Sequence, residues 1–297
     1  MKKSWLVLLI FVVLFNVSCG QTKKSSTASS NNSLLWEISG NGLTAPSYLF
    51  ATYYFEGKNF VDSLSLIGEK LKTCKLLVDE AIIDSSIARK MSAAMHLQDN
   101  TLDKIFTIEE YDSVKTGVKA FFGQRIDWID NWKPAALEQY ILVAITPKKI
   151  TKTNPGMQNY LQNEQRKSGG ELIGLETMDF NLDLFFNTPM STQKKHLLFC
   201  LRKMDVARKN IDDYQQAYRQ QDVERIYNLV MYQDKEFTMA EKDVMVKNRN
   251  LKWMEKLPGI IKKQPAFIAV QAFHLAGEFG LINQLRLKGF TVKPVKM

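Results

Sequence analysis

Four polar side chains directly follow short apolar runs of the chain, and their types could do hydrolytic or metal chemistry. They are Tyr54, Glu80, Glu176 and His274. A neutral imidazole is a good transition-metal ligand, and carboxylates complete such sites or act as general bases. In open α/β sheets, ligands bind beyond the carboxyl ends of the strands. If the four apolar runs are neighbouring strands, we expect these side chains to converge on one cleft.

The apolar runs themselves predict a sheet. Leu34–Ile38 and Ser47–Phe55 flank the turn Gly40-Asn41-Gly42, a pattern typical of a β-hairpin. Shorter apolar blocks bounded by turn residues predict further strands at Leu76–Val78, Glu171–Glu176, Ala266–Phe273 and Thr291–Val295.

Helical patterns fill most of the chain between these strands. A capping box at Thr107–Glu110 predicts a helix that runs to Phe122. Apolar spacing predicts the other helices at Val61–Leu71, Ala135–Ile145, 157–167, most of Thr192–Lys256 and Gly277–Leu287. Strands that alternate with helices predict an α/β fold, with a mixed β-sheet flanked by many helices. Because no second linker follows Ser33, we expect a single domain over residues 34–297.

The first residues of the chain predict export and a lipid anchor. Lys2 and Lys3 precede eleven apolar residues, Trp5–Phe15, too few for the about 20 that cross a bilayer. A basic start, a short apolar run and a small residue before a cut site are typical of a secretory signal, here residues 1–18. Cys19 after Ser18 resembles the acylated cysteine of bacterial lipoproteins, although Asn16 stands where Leu is usual. The alternative is an ordinary secretory signal that contains a cysteine.

Residues 19–33 are rich in Ser, Thr, Asn and Lys and predict a flexible tether from acylated Cys19. This segment has no acidic residue and so lacks an acidic surface-export signal. We therefore expect a membrane lipoprotein of the bacterial cell envelope, anchored to the membrane through Cys19, with its domain in the periplasm.

Composition excludes several functional classes. The 297 residues carry a formal charge of +9, and loss of residues 1–18 removes two lysines and no acids, which leaves +7. The basic residues are scattered, without the basic stripe or the motifs of nucleic-acid binding, so nucleic acid is not an expected partner. Three cysteines and three histidines exclude a disulfide-dense scaffold and a His-rich metal cluster. Cys74 and Cys200 are compatible either with a disulfide or with two buried thiols.

Several motifs, in order, resemble the TraB/PrgY/GumN family, which includes the animal Tiki-type metal-dependent peptidases. The matching segments are Leu35-Trp36-Glu37-Ile38, Ser47–Tyr54, Leu76–Glu80, Gly174-Leu175-Glu176-Thr177, Arg249-Asn250-Leu251-Lys252-Trp253 and Gln271–Leu281. The resemblance implies the α/β fold of that family over residues 34–297. It also implies an active site that contains His274, Glu80, Glu176 and Tyr54, with Arg249 and Asn250 binding substrate. If the site still binds metal, His274 and Glu80 are the implied ligands.

This chain departs from the family pattern at the residues that matter for metal binding. Tyr54 replaces the first motif's His, Ala51 and Gln271 replace the glycines, and Gln158 replaces an Asp. A phenol has a pKa near 10 and binds metal well only as phenolate. No cofactor is therefore required by the sequence, and a weakly bound Mn, Co or Zn ion is the one that the resemblance allows.

Two functions follow from these residues. The one we favour is a degenerate metallohydrolase-like site that binds a peptide or small ligand without efficient catalysis. The alternative is an active hydrolase or peptidase, with or without a metal, that uses His274 with Glu80 or Glu176 and an oxyanion hydrogen bond from Tyr54. Simpler interpretations also stay open: Arg249 and Trp253, four residues apart, also fit a stacked surface pair.

Overall fold

The structure is a computed structural model that describes residues 32–123, 126–146, 150–233 and 237–297. The predicted signal peptide, Cys19 and the tether up to residue 31 lie outside the described residues. By its internal contacts the described chain divides into two compact units. One comprises 84–146 and 178–211, and the other comprises 32–83, 150–177 and 212–297. We call the first of these the helical unit and the second the sheet unit.

The sheet unit contains all six strands, in the order β4-β3-β5-β2-β1-β6. Their bounds are β1 Leu35–Ser39, β2 Ser47–Thr52, β3 Leu76–Asp79, β4 Glu171–Gly174, β5 Ala266–Gln271 and β6 Thr291–Pro294. β4, β3, β5 and β2 run parallel, whereas β1 and β6 are antiparallel to their neighbours. Every residue of β2, β3 and β5 is buried, as expected for parallel strands that are covered on both faces.

Turn chemistry fixes the hairpin of β1 and β2. Gly40, Asn41 and Gly42 all have positive φ, with values of 75°, 49° and 82°. Glycine adopts this region without strain, and Asn tolerates it better than most residues. Trp36 then pairs with Leu49, and on its other side Trp36 pairs with Pro294 of the edge strand.

The helices, in chain order, are α1 Lys58–Ser63, α2 Ser65–Thr73, α3 Ile87–Met95, α4 Leu102–Ile105, α5 Ile108–Phe122, α6 Pro134–Ile145, α7 Met157–Lys167, α8 Met178–Phe186, α9 Met190–Arg202, α10 Met204–Arg219, α11 Val223–Asn228, α12 Met239–Lys242, α13 Asn248–Met254, α14 Leu257–Lys263 and α15 Leu281–Leu287. Two π-helical segments, Leu229–Gln233 and Asp243–Lys247, follow α11 and α12. The helical unit contains α3 to α6, α8, α9 and the first half of α10.

The predicted α/β fold, a mixed sheet with many helices, is confirmed. Thr107 and Glu110 form the predicted capping box of α5, and Gly123 ends this helix with a φ of 63°. The predicted helix Val61–Leu71 is instead two helices, α1 and α2, which meet at Leu64.

The last predicted helix begins later than its sequence pattern suggests. α15 starts at Leu281, because Gly277 has a φ of 80°, which is outside the helical region. The domain bounds 34–297 stay a prediction.

Two further sequence expectations have structural outcomes. Cys74 and Cys200 are buried thiols that are not joined to each other, so of the two interpretations that the sequence left open the structure has the thiols and not the disulfide. Among the described residues, we find no helix of the length and apolar character that crossing a bilayer requires.

Candidate active site

The four candidate residues follow the four parallel strands. Tyr54 comes two residues after β2, Glu80 directly after β3, Glu176 two residues after β4, and His274 three residues after β5. Parallel neighbours end at the same edge of a sheet, so the sequence-separated residues meet there. A 3₁₀ turn, Ala272–His274, turns the chain after β5, where the sequence predicted two more strand residues. The structure thus brings these residues to one edge, and their chemical roles stay predictions.

Arg249 of α13 lies at the centre of this cluster. Its Nη2 is 2.6 Å from Oε2 of Glu80 and 2.5 Å from Oε1 of Glu176, and its Nε is 3.2 Å from Oε2 of Glu176. Its Nη1 donates to Nε2 of His274 at 3.1 Å and to the carbonyl of Met245 at 3.2 Å. All five N–H groups of this guanidinium therefore have an acceptor inside the protein.

The hydrogen bonds of Asn250 fix the tautomer of His274. Asn250 donates from Nδ2 to the carbonyls of His274 and Phe279, so its Oδ1 faces Nδ1 of His274 at 2.7 Å. Nδ1 must then carry the proton, and Nε2 accepts from Arg249. Burial, together with the charge of Arg249, lowers the pKa of His274 well below its usual value. His274 is therefore a neutral imidazole whose Nε2 lone pair is already engaged.

Both carboxylates have further partners. Glu80 accepts the backbone N–H of Gln271 at 2.7 Å, and Glu176 accepts Nε1–H of Trp253 at 3.1 Å. The side chains of Glu80, Glu176 and Arg249 are only 2%, 7% and 3% exposed. Burial raises the pKa of Glu80, while Arg249 opposes that rise. Burial alone would lower the pKa of Arg249, but the two carboxylates raise it above its ordinary value, so the guanidinium stays charged.

Trp253 closes the cluster from the same helix. The guanidinium of Arg249 lies 4.8 Å from the centre of its ring, and the ring of His274 lies 4.4 Å away. The stacked pair inferred from the spacing of Arg249 and Trp253 is thus present. Both residues are buried, however, so the interpretation as a surface pair is wrong.

Tyr54 contributes a neutral phenol to the cluster. The residue as a whole is partly exposed. Burial of the hydroxyl and the charge of Glu80 raise the pKa of Tyr54 well above 10. Phenolate, the form that binds a metal ion well, is therefore disfavoured at this position.

A second layer beneath the cluster was not singled out from the sequence. Asp79, fully buried, accepts the backbone N–H of Glu80 at 2.7 Å and the side-chain amides of Gln158 and Gln162 at 3.1 and 2.8 Å. Burial raises the pKa of Asp79 to about 7. The sequence signal for this second layer was the pair of adjacent acidic residues, Asp79 and Glu80, after the apolar run Leu76–Val78. Gln158, noted only as a departure from the family pattern, supplies one of the donors.

The residues present do not fit a divalent metal ion. Nε2 of His274 accepts an N–H of Arg249, and both carboxylates are bound by the same cation. Tyr54, at the position of the family's imidazole, holds its proton. Within the described residues, no group of three or more His, Cys, Asp and Glu side chains is arranged to hold a metal ion.

Comparison with families of known proteins gives a match over most of the chain. No curated protein matches the chain significantly. Residues 34–294 match the TraB/PrgY/gumN family. That range begins at the residue before β1 and ends with β6, so it spans every strand and every residue of the cluster. The chain belongs to the TraB/PrgY/gumN family.

Proposed function

We propose that this TraB/PrgY/gumN-family protein is a lipid-anchored protein of the cell envelope whose strand-end site binds a peptide or small ligand without metal-dependent hydrolysis. One observation carries the catalytic part: Arg249 binds the side chains that would hold a metal ion or act as a general base. Its N–H groups bind Glu80, Glu176 and Nε2 of His274. As a general base, His274 would need its Nε2 lone pair, which instead accepts from Arg249, and each carboxylate faces the same fixed cation.

Exposure indicates where a ligand would meet the site. Tyr54 is the partly exposed residue of the cluster, whereas Glu80, Arg249 and His274 are buried and the side chain of Glu176 is only 7% exposed. A neutral phenol donates a hydrogen bond to a carbonyl or hydroxyl oxygen. This division favours binding at the rim over chemistry in the interior.

Metal content and hydrolysis test the absence of catalysis. The full chain is purified in dodecyl maltoside after growth with Mn, Co and Zn, and its metal is counted by mass spectrometry. Hydrolysis is followed with a mixed peptide library and with p-nitrophenyl acetate. We compare the wild type with His274→Ala and Tyr54→His, and Tyr54→Phe serves as the matched control, since it changes the ring without adding a ligand.

The expected result is less than a tenth of an equivalent of metal, on the order of a preparation blank, and no turnover in the wild type. Gain of metal binding or activity in Tyr54→His, but not in Tyr54→Phe, supports the loss of a ligand as the cause. Stoichiometric metal in the wild type, or turnover that His274→Ala abolishes, overturns the absence of catalysis and establishes the hydrolase.

The lipid anchor is tested separately. Two or more acyl chains hold a protein on a membrane because each buried methylene contributes about 0.8 kcal/mol. Cys19→Ala should therefore move the protein from the membrane fraction to the soluble fraction of the envelope, while Cys74→Ala should not. A Cys19→Ala variant that still sediments with membranes, without a mass increase from acyl chains in the wild type, contradicts the anchor.

A further inference from the structure

The chain joins the sheet unit at the edge where the candidate site lies. β1 is antiparallel to β2, so the start of β1 pairs with the end of β2, and Leu35 lies opposite Phe50. The carbonyl of Leu34 accepts the backbone N–H of Ala51 at 2.8 Å. Ala51 precedes Tyr54 by three residues, which is at most about 11 Å of extended chain. The segment that precedes Leu34 is therefore attached beside the candidate site.

This point of attachment is fixed by hydrogen bonds. Ser33 is fully buried, and its hydroxyl donates to the carbonyl of Val295 at 2.6 Å and accepts the N–H of Leu35 at 3.0 Å. The predicted tether has 14 residues after Cys19, and a chain of that length and composition spans about 20 Å on average. An anchor at Cys19 would keep the strand-end edge of the sheet near the membrane. A tether alone, however, does not choose the surface that meets the membrane.

Exposed apolar side chains lie on the helices beside this edge. The continuous helical run formed by α12, the π-helical segment after it and α13 carries Met239, Val244 and Leu251, which are 52%, 46% and 39% exposed. Val244 and Leu251 are seven residues apart, about two turns, so they lie on the same side of the run. Asn250, next to Leu251, donates to the carbonyl of His274 at 3.0 Å, which places the run at the strand-end edge.

A fourth exposed apolar side chain, Tyr232, is 63% exposed and belongs to the π-helical segment that follows α11. Lys242 ties this segment to the run, since its Nζ donates to the carbonyl of Met231 at 3.0 Å. Tyrosine is enriched where proteins meet the interface of a membrane with water. We call these four residues the exposed apolar set: Tyr232, Met239, Val244 and Leu251.

The opposite edge of the sheet provides the contrast. Among the described residues of the sheet unit, the remaining exposed large apolar side chain is Leu287, at 71%. Leu287 ends α15 next to Lys288, whose carbonyl accepts Nδ2 of Asn41 at 2.7 Å. Asn41 lies in the hairpin turn that joins the end of β1 to the start of β2, at the far edge. Four of these five side chains therefore lie on helices beside the strand-end edge.

Charge does not select the partner of this set. Outside the buried Lys242 and Arg249, residues 239–256 carry three lysines and three acidic residues. One pair, Lys247 and Asp243, has its charged atoms 3.5 Å apart. A partner would therefore be held by apolar contact, and its attraction should depend little on salt.

We propose that the exposed apolar set contacts the surface of the lipid bilayer that holds the Cys19 anchor, so that the strand-end site faces the membrane. This contact rests on the lipid anchor of the proposed function. Burying half of a large apolar side chain strengthens binding about fivefold, so four such side chains give a weak contact by themselves. The anchor makes it effective, because a tether attached at the same edge keeps the set at a high local concentration. A ligand of Tyr54 would then be met along the membrane surface.

The test locates the set relative to the bilayer in the full, acylated chain, reconstituted into phosphatidylcholine vesicles. Leu251→Cys and Val244→Cys are labelled with a nitroxide, and Leu287→Cys is the matched control, an exposed leucine at the opposite edge. Electron paramagnetic resonance measures collisions of the nitroxide with oxygen, which concentrates in lipid, and with a water-soluble nickel chelate. The wild type, treated with the same reagent, gives the background from its buried cysteines.

We expect the labels of Leu251→Cys and Val244→Cys to lose collisions with the nickel chelate and to gain collisions with oxygen, relative to Leu287→Cys. Because the contact is apolar, raised salt should not reverse this difference. Circular dichroism reports whether each variant is folded, and Val244→Cys keeps the test decisive if Leu251→Cys is not.

The outcomes separate the contact from the anchor. Vesicle-bound protein in which the nickel chelate reaches Leu251→Cys, Val244→Cys and Leu287→Cys equally overturns the contact and leaves the anchor intact. Protection of Leu251→Cys from both reagents also overturns it, since the set then packs against protein, and broadening between labels identifies a second copy. A chain that does not float with the vesicles contradicts the anchor, and the bilayer contact with it.

Discussion

Replacing Arg249 with Met should destabilise the protein strongly, because it leaves Glu80 and Glu176 buried without a cation. Breaking a buried ion pair by removing one partner costs about 3–5 kcal/mol. For a chain of this size, each kcal/mol lowers the melting temperature by about 2–4 °C, so we expect a fall of about 10 °C. Lys58→Met is the matched control. Its ion pair with Asp62 is exposed, with side chains 39% and 41% exposed, and should be worth less than about 1 kcal/mol.

The sign of the pH dependence separates this cause from lost packing. Without Arg249, the folded-state pKa of Glu80 rises further above that of the unfolded chain. The loss of stability in Arg249→Met is therefore largest above the folded-state pKa of Glu80. It becomes smaller as the pH falls toward the ordinary pKa range of carboxyl groups, since the buried carboxyls then become neutral. Denaturant melts at pH 8 and pH 5.5 measure the difference, and Glu80→Gln with Glu176→Gln should restore stability in the Arg249→Met background. A loss below about 1 kcal/mol, or an equal loss at both pH values, would refute the role of the buried charges.

Three further outcomes are expected. Burial raises the pKa of Asp79 from 3.8 to about 7, so the folded state binds one more proton than the unfolded state between these values, and the free energy of unfolding should fall as the pH rises from about 4 to about 7. Asp79→Asn should flatten this pH dependence in denaturant melts. If the pH dependence is unchanged in Asp79→Asn, a group other than Asp79 causes it. Cys74, whose pKa burial raises to about 11, and the buried Cys200 should react with a thiol reagent only after unfolding, and a native disulfide found by mass spectrometry would contradict this. Gly277→Ala should lower the free energy of unfolding by about 1–3 kcal/mol, because residue 277 has a φ of 80° and a Cβ atom there would lie 2.3 Å from the ring of Tyr227. A melting temperature equal to that of the wild type would show that the ring of Tyr227 moves aside.

The strands could be predicted from sequence because their signals are local. The hairpin depends on Gly40-Asn41-Gly42, and the buried parallel strands are short apolar runs such as Leu76–Val78. The predicted ends of the helices were less accurate than the predicted strands. The last helix starts at Leu281, four residues later than predicted, since Gly277 turns the chain through a conformation that helical periodicity does not reveal. The break at Leu64 lies between Ser63 and Ser65, a residue type that favours helix ends, but the apolar spacing on both sides fits one continuous helix.

The convergence of Tyr54, Glu80, Glu176 and His274 could be predicted because four parallel strands end at one edge. The position of Arg249 within the cluster could not be predicted. It comes from α13, outside the sheet, and nothing in its spacing shows that its guanidinium reaches both carboxylates. Hydrogen-bond direction is likewise a property of the packed state. Only there does Asn250 fix the tautomer of His274.

The charge balance of the cluster favours a proton over a metal ion. Glu80 and Glu176 bring two negative charges, Arg249 brings one positive charge, and His274 is neutral because burial and Arg249 keep its pKa low. One uncompensated negative charge in a buried network is unfavourable, and binding a proton removes it. Burial is the main cause of the raised pKa of Glu80; Arg249 opposes the rise, and the charge of Glu176 adds to it. A divalent ion would also compensate the charge, but it would have to displace Arg249. Five N–H donors and a full positive charge would then be left buried without acceptors, at a cost of several kcal/mol.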